Sequence, residues 1–324
     1  MKLIVNLICQ DSEPELPALL ESLKGRVDGL VAVDGGSADR TVEILTQWGA
    51  ENAVPVHVKR NDWPDDFALQ RNLCLNVTRA EYGIATAAQD IWVLMIDSDD
   101  TLAAFDRAYI DNAAAKTGVV GLLCHMDNGN GFFSVLQLFR LTSGVLWENL
   151  IHEYVQMKGP KGLPPADMLT IKRGHSARHN TDPARNVRIG RQFVECCPDN
   201  SRGRFYLARD LMECRALPAQ QRLAEAEGHL RAYIAMKAAF PAQDRYARLL
   251  LVRLLCDTGR VAEARRTLLD SLGEDPDNRS AYEALSRISE DKESAVWFRL
   301  SAAAEGACIL PYSARLPLKA GSAP

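Results

Sequence analysis

Four short apolar runs alternate with helical patterns between residues 3 and 97 of the chain. The runs have the composition of buried strands, and they cover residues 3–9, 29–34, 53–58 and 91–97. Strands that alternate with helices usually form a parallel sheet, because each helix crosses over one face to bring the next strand alongside. We therefore predict an α/β fold with a mostly parallel sheet and helices on both faces.

Two further apolar runs follow the alternating region. Residues 119–126 and 132–141 lie on either side of the turn-forming sequence DNGNG and predict additional strands. From about residue 182 onward the strand pattern stops, and apolar residues recur only at helical spacing. The pattern predicts two domains, an α/β domain over residues 1–180 and an all-α domain over residues 181–324.

The helical part contains a repeat. Pro241, Pro276 and Pro311 recur at intervals of 35 residues, close to the period of about 34 residues in a tetratricopeptide repeat. Between the first two prolines, Gly259 is placed for a turn between two helices and Ala264 for their close approach. The pattern predicts tetratricopeptide-like (TPR-like) repeats, with a plain helical bundle as the alternative.

Composition and cysteine spacing argue against several classes of protein. The net charge of −4 and the hydrophobic fraction of 47% are ordinary for a globular chain and leave no global signature of nucleic-acid binding. No apolar run reaches the about 20 residues that span a bilayer, and acidic residues follow the first run where a signal peptide would be cleaved. Eight cysteines without CxxC spacing argue against a disulfide framework or zinc site. We expect a cytoplasmic protein with no membrane span.

Three polar clusters follow predicted strands, where parallel sheets bind their ligands. The second strand delivers Asp34 and Gly35, and the third is followed by Asp66 at the start of a helix, with Arg71 one turn further on. The fourth strand ends in three carboxylates. We expect these clusters to lie at one edge of the sheet.

The cluster after the fourth strand reads DSDD and contains Asp97, Asp99 and Asp100. Like charges this close repel each other, so they require a cation or a solvated turn. A D-x-D at a strand end suits Mg²⁺ or Mn²⁺ bridged to diphosphate oxygens. The alternative is that Asp99 and Asp100 cap a helix N-terminus. The sequence lacks both the G-x-G-x-x-G fingerprint and a P-loop, which disfavours nicotinamide and P-loop enzymes.

Together these segments resemble the GT-A glycosyltransferases of family 2, in the branch that carries C-terminal tetratricopeptide repeats. The resemblance rests on the order VNLICQDSE, VDGGSADRTVEIL, WPDDFALQRN and VLMIDSDD, and on the later segments LFRLTSGVLWENLIHEYV and IKRGHSARHNTDPARNVRIG. It covers residues 3–305. It implies the GT-A fold, a divalent metal and an inverting displacement. It also implies a nucleotide-diphosphate sugar as donor, with a UDP-sugar as the leading candidate.

The resemblance also implies roles for individual residues. It implies nucleotide-sugar binding by five residues: Asp34, Gly35, Asp66, Arg71 and Asp97. It implies that Asp99 ligates Mn²⁺ or Mg²⁺, with His175 or His179 completing the site.

On the acceptor side, the resemblance implies catalytic roles for Glu153 and His152. Glu153 is the better candidate for the general base, since a carboxylate there can take the proton of the attacking acceptor.

The acceptor itself stays open at the level of sequence. A peptide, a saccharide or lipid-linked glycan, and a modified nucleic acid all suit the concave surface that helical repeats offer, which can also hold a protein partner. Two other functions compete with the transferase. One is a non-catalytic nucleotide-sugar-fold scaffold whose repeats recruit a protein, and the other is a two-metal nucleotidyltransferase. The second usually has a glycine- and lysine-rich loop after the first strand, where this chain has LICQDSEPE.

Overall fold

The computed structural model divides into two compact units, with the boundary between Asp182 and Pro183. It describes residues 1–86, 89–129, 131–174, 181–238 and 240–304. Within these ranges, no helix combines the length and apolar character that a membrane crossing requires.

The first unit contains a large sheet, a small hairpin and four described helices. Its strands are β1 (Lys2–Cys9), β2 (Gly29–Asp34), β3 (Val56–Arg60), β4 (Ile91–Asp97), β5 (Thr101–Phe105), β6 (Gly121–Asp127), β7 (Phe132–Arg140), β8 (Leu146–Glu148), β9 (Tyr154–Gln156), β10 (Lys161–Gly162) and β11 (Leu169–Lys172). Its helices are α1 (Leu16–Leu23), α2 (Thr41–Asn52), α3 (Phe67–Tyr82) and α4 (Arg107–Ala114).

The large sheet has the strand order β3-β2-β1-β4-β7-β6-β11-β5, with β10 also paired to β6. Strands β1 to β4 form a block in which every neighbouring pair is parallel. β7 is antiparallel to both β4 and β6, and β5 is antiparallel to β11. β8 and β9 form a separate antiparallel hairpin. The predicted mostly parallel sheet is confirmed.

Alternate residues of the central strand face opposite sides of the sheet, as the period of two requires. Leu3, Val5 and Leu7 of β1 belong to one apolar core, together with residues of α1, α2 and α4. Ile4 belongs to the core on the opposite face, together with residues of α3 and of the hairpin. The prediction of helices on both faces is therefore confirmed.

The start of α2 is connected to the loop after β1. The helix begins at Thr41, and its N-cap residue is Arg40, which makes no capping hydrogen bond through its side chain. Asp39 instead accepts hydrogen bonds from the backbone N–H groups of Glu13 and Thr41. That carboxylate thus ties the loop after β1 to the start of the helix.

Helix α2 passes through Gly49 without ending there. It continues to Asn52, and Ala53 follows in the left-handed conformation with φ of 53°. A Cβ at Gly49 would lie 2.5 Å from Cγ2 of Val56. The glycine is therefore needed for close packing of the helix on β3, and it does not end the helix.

The elements described in the second unit are all helices. They are α5 (Arg185–Cys196), α6 (Ser201–Glu213), α7 (Ala219–Ala235), α8 (Pro241–Asp257), α9 (Val261–Glu274), α10 (Arg279–Ile288) and α11 (Asp291–Ala303). Gly259 lies in the turn between α8 and α9 with φ of 77°, and Ala264 is fully buried. Both residues are placed as the repeat pattern predicts.

Candidate functional site

The carboxyl ends of β1, β2 and β4 meet at one edge of the sheet. Asp34, the last residue of β2, is in register with Cys9, and Asp97, the last residue of β4, is in register with Ile8. The two acidic residues therefore lie on either side of the end of β1. Ser12, in the loop after β1, donates a hydrogen bond to the hydroxyl of Ser98 at 3.0 Å and joins that loop to the DSDD turn.

Asp34 organises the glycine-containing loop that follows β2. Its side chain is buried, and its carboxylate accepts hydrogen bonds from the backbone N–H of Gly36 at 3.3 Å and of Ser37 at 3.1 Å, and from the Ser37 hydroxyl. The N–H of Gly35 donates to the carbonyl of Cys9 at 2.8 Å. These bonds shape the loop, and the roles of Asp34 and Gly35 toward a nucleotide remain predictions.

Asp66 begins helix α3. As the N-cap residue it accepts a hydrogen bond from the N–H of Leu69 at 2.8 Å, which satisfies a donor of the first turn. The next residue, Phe67, donates its N–H to the carbonyl of Leu150 in the loop between β8 and β9. The start of the helix thus holds that loop in place, while nucleotide binding by Asp66 remains a prediction.

One turn into α3, Arg71 connects two carboxylates that are far apart in the sequence. Its Nε lies 2.6 Å from Oε1 of Glu153, and its Nη2 lies 2.8 Å from Oδ1 of Asp97. The arginine is only 5% exposed. Burial disfavours its charge, but the two carboxylates outweigh burial and raise the pKa of the guanidinium. Arg71 therefore places the carboxylate of the hairpin segment beside that of β4.

The hairpin segment that carries His152 and Glu153 is held by a second residue of α3. The amide of Asn72 donates to the carbonyl of Trp147 at 2.9 Å and accepts from its N–H at 2.8 Å. His152 has a φ of 52°, in the left-handed region that non-glycine residues rarely adopt. Asn72 thus anchors the strand before this segment, and an uncommon backbone conformation directly precedes Glu153.

The DSDD turn is followed by strand β5, so the interpretation that Asp99 and Asp100 cap a helix is wrong. The N–H of Asp100 donates to the carbonyl of Asp97 at 3.1 Å and closes the turn. Asp100 is 3% exposed. Burial, followed by repulsion from Asp97 and, to a smaller extent, from Asp99, raises the pKa of Asp100 to about 7, although the nearby Arg173 opposes the shift. Burial and the neighbouring carboxylates thus disfavour the ionised form of Asp100.

The end of β11 packs closely against the same turn. The N–H of Gly174 donates to Oδ1 of Asp100 at 3.2 Å. A Cβ at this glycine would lie 1.7 Å from the backbone oxygen of Asp99. Arg173, the residue before it, lies within 3.6 Å of Asp97 and 3.8 Å of Asp100. Strands β4 and β11 thus form the cluster together.

Comparison with known families decides what kind of domain carries these residues. The model described as glycosyl transferase family 2 matches residues 5–150. The matched residues are less than half of the chain, and they include Asp34, Arg71 and Asp97 but not Glu153 or Arg173. The model described as tetratricopeptide repeat matches residues 217–288. The resemblance drawn from the sequence, a family 2 domain followed by tetratricopeptide repeats, is confirmed.

Similar proteins give more limited information. A curated TPR repeat-containing protein of Synechococcus elongatus is 38% identical over 96 residues, which cover 30% of this chain and 20% of that protein. This chain thus spans about a fifth of the length of that relative. Among solved structures, S. aureus TarS aligns with a TM-score of 0.44 and 16% identity over 83% of this chain and 54% of TarS. Residues 1–349 of TarS in complex with UDP align with a TM-score of 0.41 and 14% identity, covering 94% of this chain and 91% of that one.

The glycosyl transferase domain has carboxylates that suit a divalent ion at the DSDD turn. Among the residues that the structure describes, no three acidic, histidine or cysteine side chains are grouped to hold a metal by themselves. Mg²⁺ at phosphate sites typically takes one or two carboxylates and completes its shell with water and phosphate oxygens. Asp99 and one neighbouring carboxylate of the turn would meet this requirement, and the metal site remains a prediction. His175 and His179, expected to complete it, lie outside the described residues.

Arg173 belongs to a cationic stretch whose sequence suits a solvated face, a diphosphate leaving group or an anionic acceptor equally well. It appears in the sequence only as one of several cations in a basic stretch between residues 172 and 191. Its proximity to Asp97 depends on the pairing of β11 with β5 and β6, which the sequence pattern does not reveal. The link between Arg71 and Glu153 was missed for a similar reason, since 82 residues separate them.

The contact at Gly174 yields a first prediction. We expect Gly174→Ala to lower the free energy of unfolding by about 1–3 kcal/mol, because the added methyl group meets backbone atoms of Asp99 that cannot rotate away. Gly144→Ala is the control, because a Cβ there has no heavy atom within 4 Å. Thermal unfolding of both variants tests this expectation, and equal melting temperatures would show that the turn tolerates displacement.

Proposed function

We propose that the chain is an inverting glycosyltransferase that moves a sugar from a nucleotide-diphosphate sugar to an acceptor hydroxyl. A UDP-sugar is the leading candidate for the donor. The observation that carries this proposal is the arrangement around Arg71, within or directly beside the family 2 domain. One guanidinium holds Asp97, at the end of β4, and Glu153, on the hairpin side. Donor and acceptor would meet where these two carboxylates meet.

On the donor side, the proposed site is the edge formed by the ends of β2 and β4. The loop at Asp34 and Gly35 would receive the base and ribose, with Asp66 and Arg71 close to the nucleotide. Asp97 would accept from a ribose or sugar hydroxyl. Asp99 would ligate Mn²⁺ or Mg²⁺, and His175 or His179 remains the proposed additional ligand. When bound, the ion would neutralise charge on the diphosphate.

On the acceptor side, Glu153 would act as the general base. As the acceptor oxygen attacks the anomeric carbon, its proton passes to the carboxylate of Glu153 and the bond to the diphosphate oxygen breaks with its electron pair. His152 would help to orient the acceptor. A single displacement of this kind inverts the anomeric centre and requires no nucleophile from the protein.

The acceptor of the proposed reaction is a peptide, a saccharide or lipid-linked glycan, or a modified nucleic acid. The repeats at residues 217–288 are compatible with binding a protein partner. The seven cysteines of the described residues are free, in keeping with a reducing compartment, and we propose the cytoplasm.

The test of the donor is a thermal-shift screen of nucleotide-diphosphate sugars with and without Mn²⁺. A ligand present at 100 times its Kd stabilises the folded state by about 2.7 kcal/mol, which is readily detected. A shift that depends on Mn²⁺ and on one donor would support the proposal and identify the sugar class. Absence of any shift would favour the alternative, a non-catalytic scaffold whose repeats bind a protein partner.

The metal assignment has its own prediction. We expect Asp99→Ala to abolish Mn²⁺-dependent hydrolysis of the donor, because the ion would lose its carboxylate ligand. The melting temperature without Mn²⁺ should stay close to that of the wild type. Asp167→Ala removes an exposed carboxylate in the turn before β11 and serves as the control. Full Mn²⁺-dependent hydrolysis by the Asp99 variant would refute the assignment.

A further inference from the structure

Asp97 is approached by two arginines in different ways. Arg71 is buried and donates to Asp97 at 2.8 Å, within hydrogen-bonding range. The side chain of Arg173 is 44% exposed, and its nitrogens remain 3.6 Å from Asp97 and 3.8 Å from Asp100. At these separations the guanidinium supplies charge without a directional hydrogen bond. Arg71 is thus a fixed part of the site, whereas Arg173 is held only loosely by its two carboxylates.

The backbone of Arg173, in contrast, is fixed firmly. Its N–H donates to the carbonyl of Asp127 at 2.8 Å. The following residue, Gly174, donates to Asp100 and packs directly on the backbone of Asp99. A side chain anchored at the edge of the DSDD turn in this way can change its partner while its Cα stays in place.

A diphosphate is a better partner for this guanidinium than the two carboxylates are. Arginine binds phosphate oxygens through two parallel N–H···O hydrogen bonds, and such bidentate pairs are among the strong charge-assisted contacts. In the structure, Arg173 divides its charge between two carboxylates at distances that allow no such pair. A diphosphate placed over the turn would therefore compete well for the exposed guanidinium.

We propose that Arg173 is a diphosphate-binding residue, whose guanidinium moves from Asp97 and Asp100 to the diphosphate of the donor nucleotide. The inference rests on the proposed glycosyltransferase function and adds a protein cation at the leaving group. When the bond between the anomeric carbon and the diphosphate oxygen breaks, its electron pair stays on that oxygen. Arg173 stabilises the resulting negative charge, and the proton of the acceptor goes to Glu153.

The test compares the binding of a nucleoside diphosphate with that of its monophosphate. Isothermal titration calorimetry first identifies which of UDP, GDP, ADP, CDP and TDP binds the wild-type chain most tightly. Arg173→Met should then weaken binding of that diphosphate about 10- to 100-fold, as expected for loss of a hydrogen bond to a charged group. Binding of the corresponding monophosphate should change less than about twofold, because its single phosphate lies next to the ribose. Arg173→Lys should retain part of the affinity, since it keeps the charge but loses the bidentate geometry.

Lys172→Met is the matched control. Lys172 is the neighbouring exposed cation at the end of β11, and successive side chains of a strand point to opposite faces. The control removes the same charge and should leave the affinity for the diphosphate unchanged. The measurements are made both with Mn²⁺ and with EDTA, so that an effect exerted through a metal is separated from direct binding.

The outcomes distinguish this inference from the function on which it rests. If the wild-type chain binds none of the nucleotides, the proposed function fails. If it binds a diphosphate and Arg173→Met binds that diphosphate equally well, only the role of Arg173 is refuted. Equal weakening of the diphosphate and the monophosphate would also refute it, because that result indicates a general disturbance of the site.

Discussion

Replacing Arg71 with Met should lower the free energy of unfolding of the first unit by about 3–5 kcal/mol, the cost of leaving a buried ionic group without its partner. The substitution leaves Glu153 with a side chain only 11% exposed and no cation at 2.6 Å. It also removes the guanidinium that lies 5.1 Å from the ring centre of Trp147. Donor hydrolysis should be lost as well, because Asp97 and Glu153 would no longer be held side by side.

Denaturant unfolding followed by tryptophan fluorescence measures this effect. Four of the five tryptophans, Trp48, Trp63, Trp92 and Trp147, belong to the first unit, so the signal reports mainly on that unit. Arg71→Lys keeps the positive charge but lacks the planar guanidinium that donates to two carboxylates at once. It should therefore show an intermediate loss of stability. It also provides a readout if the Met variant does not fold.

The control for Arg71 is an arginine whose ion pair is exposed. Arg40 pairs with Glu43 at 3.0 Å, and both side chains are 59% exposed. Exposed pairs contribute little, so Arg40→Met should leave the free energy of unfolding close to that of the wild type. An Arg71→Met variant that unfolds at the same denaturant concentration as the wild type would mean that the bridge contributes no stability.

The strand ends of this site could be predicted from the sequence because they depend on local patterns. β2 and β4 have the predicted bounds, residues 29–34 and 91–97. Parallel strands end at the same edge of a sheet, and this alone places Asp34 and Asp97 on the same side of the molecule. The pairing of β2 with β1 follows from the usual arrangement of consecutive parallel strands. The pairing of β4 with β1, rather than with β3, is a crossover that the strand pattern does not reveal.

Contacts between distant segments could not be predicted in this way. Arg71 and Glu153 meet because Asn72 and the start of α3 hold the hairpin, and such side-chain bonds leave no periodic signal. The position of Arg173 depends on a strand of four residues that pairs on one side with β5 and on the other with β6. Short strands of mixed pairing have too few residues for their alternation to be recognised. The family resemblance indicated a catalytic role for Glu153, but its contact with Arg71 could be identified only from the structure.

The contact with Arg71 makes Glu153 suitable for a test of its catalytic role. Glu153→Gln keeps the shape of the side chain and an oxygen that can accept from Nε of Arg71, so the fold should be preserved. It removes the ability to take a proton. If Glu153 is the general base, kcat should fall by about 10²- to 10⁴-fold, the usual contribution of general-base catalysis. The Kd of the donor should stay within about twofold of the wild type, because binding precedes proton transfer.

Glu148→Gln is the matched control, since Glu148 belongs to the same hairpin and its carboxylate accepts from the hydroxyl of Tyr154 at 2.5 Å. That variant should retain wild-type kcat. Hydrolysis of the donor by water and transfer to the acceptor both require removal of a proton, so Glu153→Gln should slow the two reactions in parallel. If only transfer were slowed, Glu153 would serve to bind the acceptor. If neither reaction were slowed, the base would have to be sought in another residue near Asp97, and the bridge through Arg71 would have a structural purpose alone.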